Sequence, residues 1–513
     1  MKLKKIKLKN FRSYKNEVEI EISEFNAFIG KNDIGKSTIL EALDIFFNDG
    51  KGIIKIDKSD MNNEAYSNEE SDITISLCFE NLPTTIIIDS TNETDLDSEY
   101  LLNSNKQLEI IKKYQNGSKL KIFIKALHPT EKNCKDLLQK KDSELRELID
   151  KNDIFCEDKS RNAIMRKAIR AHFKGENYLQ EIEIDITKGE TKSIWDKLIN
   201  YLPVYSLFQS DRKNSDGDSE IQDPLKEAVK QIINDEKLKQ KLNENALEVE
   251  NKLKDVSNRT LEKVREMNPE IANSLNPVIP PIESLKWNDV FKNVSISGDQ
   301  GIPINKRGSG IKRLILLNFF RAEAERRQLE QHIPSIIYAI EEPETSQHSE
   351  HQRILIKSLL SLTNSQNTQI IITTHSPNIV KELKFAHLRL ISLSHNNRTI
   401  ENVKPNCLPY PSLNEVNYLA FEETTEEYHN ELFGYIEHEG LFSSFASGKP
   451  KKLYKKNKNG KIQDIEITLT EYIRHQIHHP ENQLNQRFSL TDLKQSIDLM
   501  RKFIIQLNTS LIN

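Results

Sequence analysis

The sequence has few cysteines and no long apolar run. Its four cysteines, Cys78, Cys134, Cys156 and Cys407, are scattered over 513 residues without a CxxC pair. This spacing argues against a disulfide framework and a zinc site, so we expect buried thiols. No apolar run approaches the roughly 18 residues of a membrane span, and the first residues lack the apolar stretch of a signal peptide. We therefore expect a cytoplasmic protein without a membrane contact.

A strong excess of either charge is also absent. The net charge is −4, with 36% hydrophobic and 29% charged residues. This balance excludes a globally basic nucleic-acid binder, so any such surface must be local. A chain of 513 residues is also too long for a single compact core, and two to four domains are expected.

Because the chain has only 16 glycines, a glycine-bearing motif is informative. Residues 30–38 read GKNDIGKST and match G-x-x-x-x-G-K-[ST]. Strand-like runs at 18–22 and 25–29 precede the motif, and a helical pattern at 39–47 follows it. This is the context of a phosphate-binding loop, in which backbone N–H groups and the helix dipole hold a phosphate. Lys36 would reach the β- and γ-phosphates, and the Ser37 hydroxyl would bind Mg²⁺.

Two very apolar strands late in the chain end in further polar groups. Residues 336–340 run directly into Glu341 and Glu342, and residues 369–373 end shortly before His375. Such runs suit parallel strands that are buried on both faces, with their carboxyl ends at one edge. We expect Glu341 beside Mg²⁺ and Glu342 as the base that polarises water. His375 alone would more often be structural, but beside these carboxylates we interpret it as a sensor of the γ-phosphate.

Residues 306–314, KRGSGIKRL, open a long helical pattern and predict a second anion-binding helix start. One nucleotide does not need two such sites from one chain. We therefore predict a two-fold pair, in which the loop around Ser309 closes over the nucleotide of the other chain. An ordinary helix N-cap is the alternative.

Composition and periodicity predict the bounds of six regions, and the phosphate loop and the carboxylates predict which of them form an ATPase. Residues 2–9 alternate lysine with apolar residues like an edge strand, and residues 133–200 are polar and helical. The predicted division is 1–130, ATPase N-terminal lobe; 131–199, helical insertion; 200–222, ATPase core segment; 223–284, helical arm; 285–400, ATPase C-terminal lobe; and 401–513, C-terminal effector or partner-docking region.

Four motifs occur in a diagnostic order: the phosphate loop, Gly-Ser-Gly-x-x-Arg, Ile-Glu-Glu-Pro-Glu and Thr-Thr-His-Ser-Pro. In this order they resemble the ABC-type ATPases of the SMC/RecF/OLD group. The chain is most similar to the OLD-like ATPases of bacterial anti-phage systems such as Gabija, Septu and retron-associated modules. The resemblance covers roughly residues 1–90, 200–215 and 285–395. It implies an α/β, ABC-type P-loop ATPase with a mixed sheet, a helical insertion and a mainly helical C-terminal region.

The resemblance also implies roles for individual residues. Glu342 would be the catalytic base and His375 the switch, while Glu341 replaces the Asp of most ABC members, as it often does in OLD-like proteins. The implied ATP-binding residues are Gly30, Asn32, Gly35, Lys36, Ser37 and Thr38; the residues acting in trans are Gly308, Ser309, Gly310 and Arg313; and the Mg²⁺ residues are Ser37, Glu341 and Gln209.

OLD and Gabija ATPases continue into a Toprim nuclease, which needs an early-strand glutamate and a later Asp-x-Asp. Neither occurs after His375. We therefore expect a separate nuclease effector, controlled by an ATP- and Mg²⁺-dependent ATPase that forms a homodimer or a higher even oligomer. A RecF-like DNA repair ATPase is the alternative.

Two C-terminal features leave alternatives open. Arg474 and His479 form R-x4-H, which is similar to the HEPN ribonuclease motif and would allow an ATP-gated ribonuclease; a structural or docking role is the alternative. A lysine cluster at 449–461 would meet a nucleic-acid backbone or form a solvated flexible loop. Its members are Lys449, Lys451, Lys452, Lys455, Lys456, Lys458 and Lys461.

Overall fold

The computed structural model describes residues 1–50, 52–68, 70, 72–87, 93–117, 119–187, 191–209, 236–267, 335–345, 348–364, 367–394, 397–458 and 461–512. The predicted trans residues Gly308, Ser309, Gly310 and Arg313 lie outside the described residues, so their role stays a prediction.

The strands of the described residues follow in chain order. Their bounds are β1 Lys2–Lys9, β2 Val18–Glu21, β3 Phe25–Ile29, β4 Asp72–Glu80, β5 Ile86–Ile87, β6 Glu93–Thr94, β7 Leu108–Gln115, β8 Lys119–Pro129, β9 Leu179–Asp185, β10 Val204–Phe208, β11 Ile336–Glu341, β12 Thr368–Thr374, β13 Leu388–Ser394, β14 Asn397–Asn402, β15 Lys451–Lys458 and β16 Lys461–Thr468.

Helices connect and cover these strands. Their bounds are α1 Lys36–Phe47, α2 Asn63–Ser67, α3 Asp142–Lys151, α4 Asn162–His172, α5 Thr191–Leu198, α6 Glu236–Met267, α7 Ser349–Leu362, α8 Pro377–Lys381, α9 Leu413–Phe421, α10 Glu426–His438, α11 Phe442–Ala446, α12 Leu469–His478 and α13 Leu490–Ile512.

The first large sheet is antiparallel and has the order β2-β1-β4-β7-β8-β9. The prediction that residues 2–9 form an edge strand is wrong, because β1 pairs with both β2 and β4. Its alternation arises from one buried face, with Ile6 and Leu8 fully buried, and one charged face. On the charged face Lys7 Nζ lies 2.8 Å from Glu109 Oε1. The lysines therefore mark the solvent side of the sheet rather than its edge.

The region predicted as a helical insertion contains two helices and one strand. Helices α3 and α4 pack together through Leu145, Ile149, Met165 and Ile169. Residues 179–185 instead form β9, which pairs antiparallel with β8 and extends the first sheet. The run Glu-Ile-Glu-Ile has the period of two that a half-buried strand requires. This strand corrects the purely helical expectation for residues 131–199.

The second large sheet is mixed and has the order β10-β11-β12-β3-β13-β14. Its first five strands are parallel, and β14 pairs antiparallel with β13. Ile337 of β11 belongs to the core shared with α1 and the first sheet, whereas Ile336 belongs to the core beneath α7. Burial on both faces explains the uniformly apolar strands. The predicted α/β P-loop ATPase fold with a mixed sheet is confirmed.

The C-terminal region is mainly helical, as predicted, and includes one β-hairpin. Tyr428, Leu432, Ile497, Met500 and Ile504 form its core. The lysine-rich stretch 449–461 forms β15 and the start of β16, so the alternative of a flexible loop is wrong for residues 451–458 and Lys461. In the described part of the chain, no helix has both the length and the apolarity to cross a bilayer.

Candidate functional site

The phosphate loop connects β3 to α1 through two glycines in the left-handed region. Gly30 has φ +149°, and a Cβ there would lie 2.8 Å from the Ile391 carbonyl oxygen. Gly35 has φ +102°, and its Cβ would lie 2.9 Å from Ser13 Oγ. A side chain at either position would be strained and crowded. The two glycines therefore let the loop turn sharply before the N-terminus of α1.

The Lys36 side chain is folded back along this loop. Its Nζ donates to the carbonyl oxygens of Gly30 and Lys31, each at 2.8 Å. Lys36 is only 5% exposed. Burial lowers the pKa of its ammonium, and the charge of Glu342 opposes this shift. The lysine is thus held inside the loop, at the entrance to the carboxylate edge of the sheet.

The first predicted carboxylate meets the loop directly. Glu341 is the last residue of β11, and its carboxylate accepts a hydrogen bond from the Ser37 hydroxyl. Gln209, directly after β10, lies on the same side, with its Nε2 3.5 Å from Glu41 Oε1. Parallel pairing of β10, β11 and β12 with β3 places these groups at one edge. The structure therefore brings the three predicted Mg²⁺ residues to one place, and their metal role stays a prediction.

Glu342 has an unusual backbone and a specific partner. Its φ is +41°, which is rare for a residue other than glycine. The Glu342 N–H donates to the carbonyl oxygen of Thr373 at 3.0 Å, and this bond to β12 supports the strained turn. Its Oε1 lies 3.1 Å from His375 Nδ1. The predicted base and the predicted switch are therefore neighbours, as the motif order implies, while their chemical roles stay predictions.

A third acidic residue, Glu344, supports His375, although the sequence motifs assign it no role. Its Oε1 accepts from the Thr374 hydroxyl at 2.7 Å and from the His375 N–H at 2.9 Å. The residue is 5% exposed, and burial raises the pKa of its carboxyl group. Its Oε2 has no hydrogen-bond partner among the described residues. Glu344 is the last residue of Ile-Glu-Glu-Pro-Glu, so the motif itself is the signal that points to it.

We expect Glu344 to affect stability with a defined pH dependence. Because burial raises its pKa, the folded state binds this proton more tightly than the unfolded state. The contribution of the protonated Glu344 to the free energy of unfolding is therefore fully present below the ordinary glutamate pKa. It is lost as the pH rises through the pKa of Glu344 in the folded state. The melting temperature of the nucleotide-free protein, measured at a series of pH values, should change less with pH for Glu344→Gln than for the wild type. Parallel pH profiles would contradict this role.

Truncation of the same residue should have a larger effect. Glu344→Ala removes the acceptor of the Thr374 hydroxyl and the His375 N–H, which costs about 1–3 kcal/mol for a buried unpaired group. Chemical denaturation at constant pH measures this loss, and Glu344→Gln, which keeps an oxygen acceptor, is the matched comparison.

These groups line a cavity of about 670 Å³ at the carboxyl edge of the mixed sheet. This is within the usual size of a small-molecule site. Lys36 and Arg12 provide positive charge, and Gly35 and the N-terminus of α1 lie in the wall of the cavity. The residues present therefore fit ATP. The lining consists of Arg12, Ser13, Asn32, Asp33, Gly35, Lys36, Ser37, Thr38, Glu41, Gln209, Glu341 and Glu342.

Two lining residues, Arg12 and Ser13, are not predicted by the sequence motifs. Arg12 has φ +47°, and its Nε donates to Asp60 Oδ1 at 2.7 Å. The Nη1 atom of the same guanidinium donates to the Glu41 carboxylate. Ser13 Oγ is buried without a hydrogen-bond partner among the described residues, beside Gly35. A buried hydroxyl aimed at the phosphate loop is a donor available to a ligand.

A divalent metal here would need ligands beyond the protein. Among the described residues, no group of three or more His, Cys, Asp or Glu side chains is placed to hold a metal ion. Mg²⁺ commonly binds through one or two carboxylates together with the phosphates of a substrate. Ser37, Glu341 and Gln209 fit that arrangement only with a nucleotide present.

The R-x4-H pair lies outside this cavity, with Arg474 in α12 and His479 directly after the helix. The Arg474 guanidinium packs 4.6 Å from the centre of the Phe433 ring and contacts His478. His479 Nδ1 instead lies 3.2 Å from Glu481 Oε1. The two residues thus have different partners, and a nuclease role for them stays a prediction.

Comparison with known proteins places this site in a family. A family model described as AAA ATPase domain matches residues 1–380. The chain is 26% identical over 440 residues to endonuclease GajA of Bacillus cereus (strain HuB5-5), covering 78% of this chain and 57% of GajA. It is 33% identical over 102 residues to the OLD nuclease of Thermus scotoductus (strain ATCC 700910 / SA-01), covering 20% of this chain and 18% of that nuclease. The aligned part thus spans about half of GajA and less of the OLD nuclease.

Solved structures of SMC head domains were also found. One is an SMC head bound to the C-terminal winged-helix domain of ScpA, with TM-score 0.38 and 14% identity, covering 79% of this chain and 98% of that chain. A second is the SMC head of Thermotoga maritima, with TM-score 0.32 and 13% identity, covering 79% of this chain and 100% of that chain. No inference about this chain rests on these low scores.

The family match extends from the first strand past the phosphate loop, the two carboxylates and His375. It therefore covers most of the chain and every described element of the cavity. The similarity to GajA and the OLD nuclease supports the prediction that the chain is an SMC/OLD-like ATPase. The chain belongs to the AAA ATPase domain family and is an ATPase.

Proposed function

We propose that this chain is the ATP-hydrolysing regulatory subunit of a bacterial anti-phage defence system, in which it controls a separate nuclease. The observation that carries the proposal is the convergence of three elements at one cavity: Lys36 in its loop, the Ser37–Glu341 contact, and the Glu342–His375 pair. The similarity to two proteins named as nucleases supports a nuclease-related system. The defence role rests on the resemblance to OLD-like ATPases.

The residues of the cavity divide the work of hydrolysis. Lys36 and the loop N–H groups would bind the phosphates, and Ser37, Glu341 and Gln209 would hold Mg²⁺, which would neutralise negative charge on the phosphates. Glu342 accepts the proton of the attacking water, and His375 orients the Glu342 carboxylate from 3.1 Å. Glu344 fixes the backbone of His375.

We further propose that two chains pair around two ATP molecules and assemble as a dimer or a higher even oligomer in the cytoplasm. The motif at 306–314 supports this, because its Gly308, Ser309, Gly310 and Arg313 would close the nucleotide site of the other chain. In a two-fold symmetric pair, the loop at 306–314 of each chain would close one nucleotide site, so each loop would have one role. Nucleotide state would then set the distance between the two C-terminal regions, where a partner nuclease would dock.

Phage challenge of a bacterial host tests the proposal. Cells that carry this chain together with an adjacently encoded nuclease should resist phage, and Lys36→Ala should restore plating. Protection by this chain alone, or RNA degradation by the purified chain, would contradict a separate effector. ATP hydrolysis stimulated by duplex DNA, without any protection, would favour a RecF-like repair ATPase instead.

A further inference from the structure

The hairpin of β15 and β16 has two chemically different faces. Directly paired residues of an antiparallel ladder point to the same side, and neighbours along a strand alternate. On one face of the hairpin Lys456 pairs with Gln463 and Tyr454 pairs with Ile465. Neither of these two pairs contains a carboxylate. The opposite face has Lys455 paired with Asp464 and Leu453 paired with Glu466. We call the side with Lys452, Lys456 and Lys461 the basic face.

Helix α12 packs along this basic face. The Tyr454 ring lies 5.7 Å from the Tyr472 ring, and both are buried. Lys452 Nζ lies 4.3 Å from the centre of the Tyr472 ring. The helix therefore covers the part of the basic face near residue 452. Lys456 is exposed further along the strand, and Lys461 is exposed at the start of β16.

Three rings form a column beside the exposed lysines. Tyr454 stacks on His475 at 5.1 Å and 23°, and His475 stacks on His479 at 6.2 Å and 29°. Tyr454 is buried, whereas the His479 side chain is 56% exposed. Burial, with the nearby Lys456 charge, lowers the pKa of His475. The column thus starts in the protein core and ends in a flat ring at the surface.

Lys456 and Lys461 carry unpaired positive charge in the part of the chain that the structure describes. Among the described residues, neither Lys456 nor Lys461 has a carboxylate within ion-pair distance. Arg474 adds a further cation, 4.0 Å from Glu437. Lys449 does not belong to the surface, because its ammonium lies 3.8 Å from the centre of the Phe445 ring. Within the described part of the chain, the unpaired positive charge of this surface therefore lies at Lys456 and Lys461, whereas Glu437 faces Arg474 and Glu481 Oε1 lies 3.2 Å from His479 Nδ1.

We propose that this surface binds single-stranded nucleic acid. Lys456 and Lys461 contact phosphates, and an unpaired base stacks on the outer face of His479. A duplex hides its bases inside the helix, so it cannot use the ring. None of the residues of this surface lines the ATP cavity, so nucleic-acid binding there would be a second activity besides ATP hydrolysis. Ribonucleotide and deoxyribonucleotide strands share the required phosphates and bases.

Fluorescence anisotropy with labelled oligouridine and oligodeoxythymidine of about 12 nucleotides, and a duplex of equal length, tests this proposal. The full chain should bind both single strands more tightly than the duplex. Lys456→Ala with Lys461→Ala should weaken binding about tenfold or more, and should reduce the slope of log affinity against log salt by about 1.4. His479→Ala should weaken it about fivefold or more, whereas His479→Phe should retain it.

The opposite face of the same hairpin provides the matched control. Lys451→Ala with Lys455→Ala removes equal charge from the face that also carries Asp464 and Glu466, and should change affinity less than about twofold. Equal weakening by both double variants, tighter binding of the duplex, or no binding by the wild-type chain would overturn the proposal. ATP hydrolysis is measured on every variant, and a wild-type rate shows that the variant is folded. Loss of nucleic-acid binding with normal ATP hydrolysis then concerns this surface and not the ATP cavity.

Discussion

Replacing Lys36 with alanine is expected to weaken ATP binding. The ammonium is anchored by the Gly30 and Lys31 carbonyl oxygens at the base of the loop, from where it would also donate to nucleotide phosphates. Two of the three ammonium N–H groups bind these carbonyl oxygens, which leaves one for a phosphate. A hydrogen bond to a charged group contributes about 1.5–3 kcal/mol, so losing this bond weakens affinity by at least ~10-fold. Isothermal titration of the variant with ATP and Mg²⁺ measures the loss.

Two further variants separate the lost contact from damage to the fold. Lys36→Met keeps the volume of the buried stem and should lose affinity to the same extent. Lys15→Ala removes a surface lysine, paired with Glu64 at 2.8 Å outside the cavity, and should bind ATP normally. Unchanged ATP affinity in a folded Lys36→Ala protein would remove the phosphate-loop assignment.

Glu342→Gln is expected to retain ATP while losing turnover. The amide keeps the shape of the side chain beside His375 but cannot accept a proton from water, and loss of a general base reduces rates by about 100- to 10,000-fold. The ATP-bound pair of chains should then persist. Light scattering after gel filtration with ATP and Mg²⁺ should show a stable dimer or larger even assembly for the variant.

Glu350→Gln is the matched control, since this exposed glutamate lies in the first turn of α7 and makes no contact with the cavity. It should hydrolyse ATP at the wild-type rate. Turnover by Glu342→Gln at the wild-type rate would refute the role of Glu342 as base. A monomeric but ATP-loaded Glu342→Gln protein would instead count against the paired arrangement.

Local patterns were sufficient to predict much of the site. The spacing of Gly30, Gly35 and Lys36 is contained in nine residues, and the loop geometry depends on little else. Glu341 ends an apolar strand, and His375 follows a strand with three consecutive isoleucines at its centre, a composition typical of parallel strands covered on both faces. Parallel strands bring their carboxyl ends to one edge, so the strand pattern predicted that Glu341 and His375 lie at the same edge.

The remaining features depend on contacts between distant segments. Arg12 follows β1 in a tight turn, and its place at the cavity depends on Asp60 and Glu41, which no local pattern connects to it. The position of β1 inside its sheet depends equally on β4, about 70 residues later. The lysine-rich segment gave no alternation signal, because polar residues occupy both faces of the hairpin. Its strand conformation is stabilised by Tyr454 packing on Tyr472 of the following helix.

The contact between Ser37 and Glu341 joins residues that are synthesised at different times. These residues are 304 positions apart in the chain. At a synthesis rate of about 5–20 residues per second, Glu341 leaves the ribosome roughly 15–60 s after Ser37. A chain that ends before Glu341 therefore lacks the contact that joins the phosphate loop to β11.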